Sequence, residues 1–122
     1  MQKSNIIEEL DALTEHWSQK ILAEANGQQF KIAKGIGPTN WHKHDDQDEL
    51  FIIFDGEMTI QLRTGDIVLA KGEMLTVPKG VEHRPVAENE VKFLIVGINI
   101  TSTKEGGKPN SPAETSSSSP IP

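Results

Sequence analysis

The spacing of apolar residues along the chain changes from helical to strand-like near Trp17. Asn5 is followed three residues later by Glu8, a pairing typical of a helix N-terminus. The apolar positions that return at helical spacing after it are Ile6, Ile7, Leu10 and Leu13. We therefore predict an N-terminal helical segment within residues 1–16.

Beyond Trp17, short apolar runs alternate with polar or glycine-containing turns. Asn26-Gly27 favours the positive φ angles of a tight hairpin. The later runs are "LFIIF" before Asp55-Gly56, "MTIQLR" before Thr64-Gly65, "IVLA" before Lys71-Gly72, "MLTVP" before Lys79-Gly80, "HRPVA" before Glu88-Asn89, and "VKFLIVGINI". Runs that recur every 8 to 12 residues or so are typical of an all-β sandwich or barrel. This pattern predicts one β-barrel domain over residues 17–101.

Residues 102–122 have a different composition, rich in serine and proline and ending "SPAETSSSSPIP". Such a segment buries too little apolar surface to offset the entropy lost on ordering. We predict a disordered tail over residues 102–122.

The composition of the chain further limits its possible partners and chemistry. The net charge of -6 argues against a nucleic-acid partner. The chain has neither an apolar run long enough to span a membrane nor an apolar core typical of a secretory signal, so we expect a cytoplasmic protein without a membrane partner. The absence of cysteine excludes disulfides, a thiolate nucleophile and cysteine-ligated metal.

Histidine and glutamate carry the candidate chemistry. His42 and His44 stand two positions apart, and such residues project from the same face of a strand. Glu49 follows a short acidic turn, and His83 opens a later predicted strand. Two histidines spaced like His42 and His44, without further ligands nearby, are more often exposed surface residues than metal ligands. Three imidazoles and a carboxylate that converge inside a barrel would form a divalent metal site.

The spacing of these residues resembles that of the cupin superfamily. The first cupin motif, G-x5-H-x-H-x3,4-E-x6-G, is matched by His42, His44, Glu49 and Gly56. The second, G-x5-P-x-G-x2-H-x3-N, is matched by Gly72, Pro78, Gly80 and His83. Two positions depart: Gly37 precedes His42 by four residues rather than five, and Ala87 replaces the final asparagine. The resemblance covers roughly residues 28–98.

This resemblance implies a jelly-roll β-barrel similar to those of mannose-6-phosphate isomerase-like cupins. It also implies a metal bound by His42, His44, Glu49 and His83, with iron, manganese, nickel, zinc or copper as the candidates. Strand alternation counted from Glu49 and Pro78 predicts pocket walls at Phe51, Ile53 and Thr76. Lys31 or Lys34 could line the pocket, depending on a strand register that the sequence leaves open.

Two functions of different classes follow from the resemblance. The first is a small-molecule enzyme of oxygenase or isomerase type; the second is a non-catalytic, metal-bearing module that binds a sugar or an organic acid. A purely structural metal is a third reading. The apolar character of both faces of "LFIIF" and "VKFLIVGINI" further predicts a homodimer, unless the N-terminal helix covers the outer face.

Overall fold

The computed structural model describes residues 1–98, which form one helix and seven strands. The elements are α1 (Ile6–Ala12), β1 (Lys20–Ala25), β2 (Gln28–Pro38), β3 (Glu49–Asp55), β4 (Glu57–Leu62), β5 (Gly65–Ala70), β6 (Met74–Val77) and β7 (His83–Gly97). The predicted tail at residues 102–122 lies outside the described residues. Within residues 1–98, no helix is long and apolar enough to cross a membrane.

The N-terminal helix begins where the sequence predicts. The Asn5 side chain accepts a hydrogen bond from the Glu8 backbone N–H at 3.0 Å, which satisfies one of the free donors of the first turn. Leu10 is the buried residue of the helix and packs with Ile32 and Leu94 on the sheet. The helix is thus fixed to the outer face of the barrel wall.

The seven strands form an antiparallel sheet that closes into an all-β jelly roll. Its strand order is β1-β2-β7-β3-β6, and β4 pairs with both β5 and β7. The predicted hairpin between β1 and β2 is confirmed, since Asn26 and Gly27 have φ angles of 53° and 78°. The long strand β7 is central, because it pairs with β2, β3 and β4.

The turn predicted at Glu88-Asn89 is wrong. Strand β7 runs without a break from His83 to Gly97. Its first residues pair with β4 and its last residues with β3, while β2 lies along its other edge. The three polar residues from Glu88 to Glu90 are exposed at the point where β7 passes from one partner to the other. They mark that change of partner rather than a reversal of the chain.

Alternation along the strands creates two hydrophobic clusters. The inner cluster fills the barrel and includes Phe51, Ile53, Phe93 and Ile95. The outer cluster lies beneath α1, where residues such as Phe30, Ile52, Phe54 and Val96 are partly buried. Both faces of β3 and β7 are therefore apolar, as predicted, and α1 covers part of the outer face.

Candidate metal centre

Four side chains predicted to bind metal lie together inside the barrel. His42, His44, Glu49 and His83 are between 1% and 6% exposed. Each offers a donor atom, and these atoms all lie within 4.8 Å of one another. Two donor atoms on opposite sides of a metal ion, each about 2.1 Å from it, are roughly 4.2 Å apart. The cluster therefore has the size to hold one divalent ion after small side-chain movements.

Backbone pairing brings the two halves of the cluster together. The N–H of His42 donates to the carbonyl of His83 at 3.0 Å, and the N–H of His83 donates to the carbonyl of His42 at 2.8 Å. Residues paired in this way across antiparallel strands project to the same side. Two histidines from distant parts of the sequence thus face the same space.

The turn before His83 is attached to the loop that carries His44. The Gly80 N–H donates to the His44 carbonyl at 2.8 Å, and the Lys79 N–H donates to the Asp48 carboxylate at 2.9 Å. Glu49 then begins β3, paired with Val77 at the end of β6. Asp48 is exposed, and its carboxylate helps to fix this connection.

Hydrogen bonds to the backbone fix the orientation of two imidazole rings. His42 Nδ1 lies 2.8 Å from the Asn40 carbonyl, and His83 Nδ1 lies 2.9 Å from the Val81 carbonyl. Because a carbonyl oxygen can only accept, each Nδ1 carries the proton. A neutral ring in this tautomer has its free lone pair on Nε2, the arrangement that metal-binding histidines commonly show.

The Nε2 atoms of these rings lack ordinary partners for their lone pairs. His42 Nε2 is buried without a hydrogen-bond partner among residues 1–98. His83 Nε2 lies 3.1 Å from Glu49 Oε1. That contact needs a second proton on His83, since otherwise two acceptors face each other. A divalent cation can take the place of this proton, so the donor set fits a metal.

In the metal-free cluster, His42 and Glu49 are already in the deprotonated form that binds metal. Burial, reinforced by the neighbouring His83, lowers the pKa of His42 to about 3, so that ring is neutral at physiological pH. Burial by itself raises the pKa of Glu49, but the His83 contact and the nearby imidazoles outweigh it and lower that pKa to about 2. Glu49 is therefore a carboxylate.

The structure resolves the open register of β2. Ala33 belongs to the inner cluster and Ile32 to the outer one, so Lys31, which pairs with Ile95, faces the interior. Lys31 is fully buried. Burial lowers its pKa to about 8 against the opposing attraction of Glu49. Lys34 lies on the other face and donates to the Leu13 carbonyl at 3.0 Å.

The three predicted pocket walls have different outcomes. The Phe51 ring centroid lies 6.3 Å from that of His83, and Ile53 is buried in the inner cluster. The prediction for Thr76 is wrong, because its side chain is exposed. Val77 pairs with Glu49 and is the inward residue of this strand, so alternation counted from Pro78 was one position out of phase.

The ring contacts of the two tryptophans are with residues other than the four donors. Trp17 is buried, and its ring centroid lies 5.9 Å from that of Phe93. Its Nε1 donates to the Ile36 carbonyl at 3.0 Å. Trp41 lies beneath the Arg63 guanidinium, 3.7 Å from its ring centroid. Trp17 is therefore a packing residue of the inner cluster.

A small antiparallel barrel with a buried cluster of three histidines and one glutamate defines the class of this protein as a β-barrel with a candidate metal centre. The chain belongs to the cupin family, since the model of the cupin domain matches residues 28–97.

The chain is also similar to individual cupins. A cupin-2 domain protein from Shewanella frigidimarina NCIMB 400 is 42% identical, with a TM-score of 0.74 over 76% of this chain and 91% of that one. Protein NMB1881 from Neisseria meningitidis is 30% identical, with a TM-score of 0.74 over 80% of this chain and 100% of that one. Uncharacterized protein YdbB of Bacillus subtilis (strain 168) is 38% identical over 64 residues, which are 52% of this chain and 57% of YdbB. The match thus spans little more than half of that curated relative.

More distant structures share the fold alone. A hydroquinone 1,2-dioxygenase from Sphingomonas sp. TTNP3 is 19% identical with a TM-score of 0.67 over 79% of this chain and 73% of that one. A sugar phosphate isomerase from Silicibacter pomeroyi DSS-3 is 22% identical with a TM-score of 0.53 over 59% of this chain and 50% of that one.

Proposed function

We propose that this cupin is a metal-dependent enzyme acting on a small molecule, with the metal held by His42, His44, Glu49 and His83. The observation that carries the proposal is the set of inward lone pairs: His42 Nε2 has no hydrogen-bond partner among the described residues, and His83 Nε2 faces Glu49. Imidazole and carboxylate donors suit iron, manganese, nickel, zinc and copper.

The protein donors leave room on the metal for a substrate. Four protein ligands occupy four positions, so a six-coordinate ion keeps two for other groups. A bound transition metal would supply Lewis-acid chemistry toward a coordinated substrate and, if redox-active, chemistry with oxygen. The backbone carbonyls of Asn40 and Val81 hold two of the rings in place, and Glu49 contributes negative charge.

Within the enzyme class, the interior favours oxygenase over isomerase chemistry. The apolar ring of Phe51 lies beside His83, with the two ring centroids 6.3 Å apart, and it packs in turn against Phe93 of the inner cluster, which makes this side of the site apolar. A sugar-phosphate isomerase needs a base and a phosphate anchor in addition to a metal, whereas Lys31 is the one buried lysine or arginine among residues 1–98. Both activities occur among the distant fold neighbours, so the fold does not choose between them.

One observation favours the alternative of a non-catalytic binding module for a sugar or an organic acid. All four donors are nearly inaccessible, and a surface concavity of ≈ 490 Å³ is lined by residues such as Glu57, Asp66 and Glu88 rather than by the cluster. Restricted access suits slow exchange of a captured ligand.

Oxygen uptake tests the enzyme against the binder. Protein loaded anaerobically with Fe²⁺ is mixed with hydroquinone, catechol or pyruvate in an oxygen electrode. An oxygenase consumes oxygen with at least one of them, and Glu49→Gln loses turnover further than metal content, because the carboxylate also sets the charge at the open positions. Glu57→Gln, at an exposed position on β4, is the matched control. Wild-type protein that holds iron yet consumes no oxygen with the panel contradicts the oxygenase assignment.

A further inference from the structure

A lysine side chain enters the barrel interior beside the candidate metal centre. Lys31 is fully buried and shares the inner face of the sheet with Ala33, Phe93 and Ile95. Lysine is almost never fully buried unless its charge has a counter-charge nearby. The counter-charge that acts on Lys31 inside the barrel is that of Glu49.

Strand pairing shows how Lys31 reaches the cluster. Lys31 pairs with Ile95 on β7, and Ile95 pairs in turn with Phe51 on β3. Glu49 lies two residues before Phe51 and faces the same side. Adjacent strands are about 4.8 Å apart, so a lysine side chain is long enough to cross β7 on the inner face toward Glu49. Its charge interacts with that of Glu49.

We propose that Lys31 anchors an anionic group of the substrate, so that the site takes a small organic acid rather than a neutral sugar. The inference deepens the proposed function and rests on it. One oxygen of the acid would occupy an open position on the metal, and its carboxylate would contact the Lys31 ammonium. Lys31 is thus a substrate-positioning residue, distinct from the four metal donors.

The charges gathered in the interior favour an anionic ligand. In the metal-free barrel, the single Glu49 carboxylate faces both the Lys31 ammonium and the proton in its contact with His83 Nε2. A divalent cation bound to Glu49 and three neutral imidazoles leaves a net charge of about +2 once Lys31 is included. Uncompensated charge in a low-dielectric interior is costly. An anion next to both the metal and Lys31 removes most of that cost, whereas an uncharged ligand does not.

A different role is possible for a lysine in this position, that of a counter-ion for Glu49 alone. In that case Lys31 would matter for stability and for metal affinity but not for the choice of ligand. The two roles differ in one measurable quantity, the affinity of the metal-loaded protein for an anion relative to an uncharged analogue of the same shape.

Calorimetry with pyruvate and its uncharged methyl ester measures this preference. Wild type, Lys31→Met and Lys31→Arg are loaded with Co²⁺, and their metal content and visible spectra are recorded before titration. Lys34→Met is the control, because Lys34 lies on the same strand and faces outward. We expect Lys31→Met to bind pyruvate at least ten-fold more weakly at equal cobalt content, Lys31→Arg to keep part of the affinity, and Lys34→Met to match wild type.

Each outcome has a defined meaning. The role of Lys31 is overturned if wild type and Lys31→Met bind pyruvate equally well, or if wild type does not prefer pyruvate to the ester. Neither result bears on the proposed metal site. Failure of wild type to retain Co²⁺ and each of Fe²⁺, Mn²⁺, Ni²⁺, Zn²⁺ and Cu²⁺ overturns the proposed function and this inference together. If Lys31→Met does not fold by circular dichroism, Lys31→Gln replaces it in the same comparison.

Discussion

Acidification should destabilise the metal-free protein through His42. The folded-state pKa of His42 is about 3, against an ordinary value of 6.5. A pKa lowered by folding means that the unfolded chain binds more protons below pH 6.5, so stability falls as the pH falls. At pH 5 the His42 ring is still neutral in the folded protein. In the unfolded chain the pKa of the ring is 6.5, which is 1.5 units above this pH, so the ring is protonated. This difference amounts to about 2 kcal/mol of lost stability relative to pH 7.5.

Glu49 should extend the loss to lower pH. Its folded-state pKa is about 2, below the ordinary 4.5, so its stabilising contribution is present above pH 4.5 and disappears as the pH falls toward 2. Both groups therefore act in the same direction, with His42 dominating between pH 6.5 and 4.5.

Urea unfolding of chelator-treated protein at pH 7.5 and pH 5 measures this effect. His42→Gln should remove about 2 kcal/mol of the difference between the two pH values. His16→Gln, which removes an exposed imidazole paired with Glu90, controls for the loss of a histidine elsewhere. If wild type and His42→Gln lose the same stability on acidification, the assignment of a buried, neutral His42 is refuted.

Three further predictions concern the scaffold. Gly35→Ala should cost about 1–3 kcal/mol in urea unfolding, because its Cβ would lie 2.5 Å from the buried Trp17 ring; an unchanged midpoint contradicts this packing. Asn5→Ala should cost about 1 kcal/mol through loss of the helix cap, and Asn5→Asp should restore most of it. Light scattering should show a homodimer, since Phe54 and Val96 on the outer face remain only partly buried; a clean monomer at micromolar concentration argues against it.

Part of the candidate metal centre could be predicted from short-range features of the sequence. His42 and His44 share a face by alternation alone, and the turn through Gly80 positions His83 locally. The pairing of His42 with His83 is a long-range contact that no pattern within either segment reveals. It was predicted through the resemblance to cupin motifs, and the backbone hydrogen bonds between the two residues supply its physical basis.

The other positions could not be predicted correctly from the sequence, for physical reasons. The prediction for Thr76 depends on counting inward and outward positions from Pro78. Because Pro78 lies just after β6 ends at Val77, the strand alternation does not extend to it. The polar residues Glu88 and Asn89 resemble a turn in sequence, yet β7 continues through them because β2 lies along its other edge. Lys31 and Lys34 must face opposite sides of a regular strand. Both faces of the sheet are apolar, so the sequence pattern does not show which of the two lysines points inward.

Metal analysis of protein purified without added metal tests the central claim most directly. Wild type should contain up to about one transition-metal ion per chain, as a single set of four donors permits. His44→Ala and His83→Ala should lose most of it, while His16→Ala should retain the wild-type content. Full metal content in the His44→Ala and His83→Ala proteins, or a wild type that binds no transition metal even after addition of Fe²⁺, Mn²⁺, Ni²⁺, Zn²⁺ or Cu²⁺, would contradict the account.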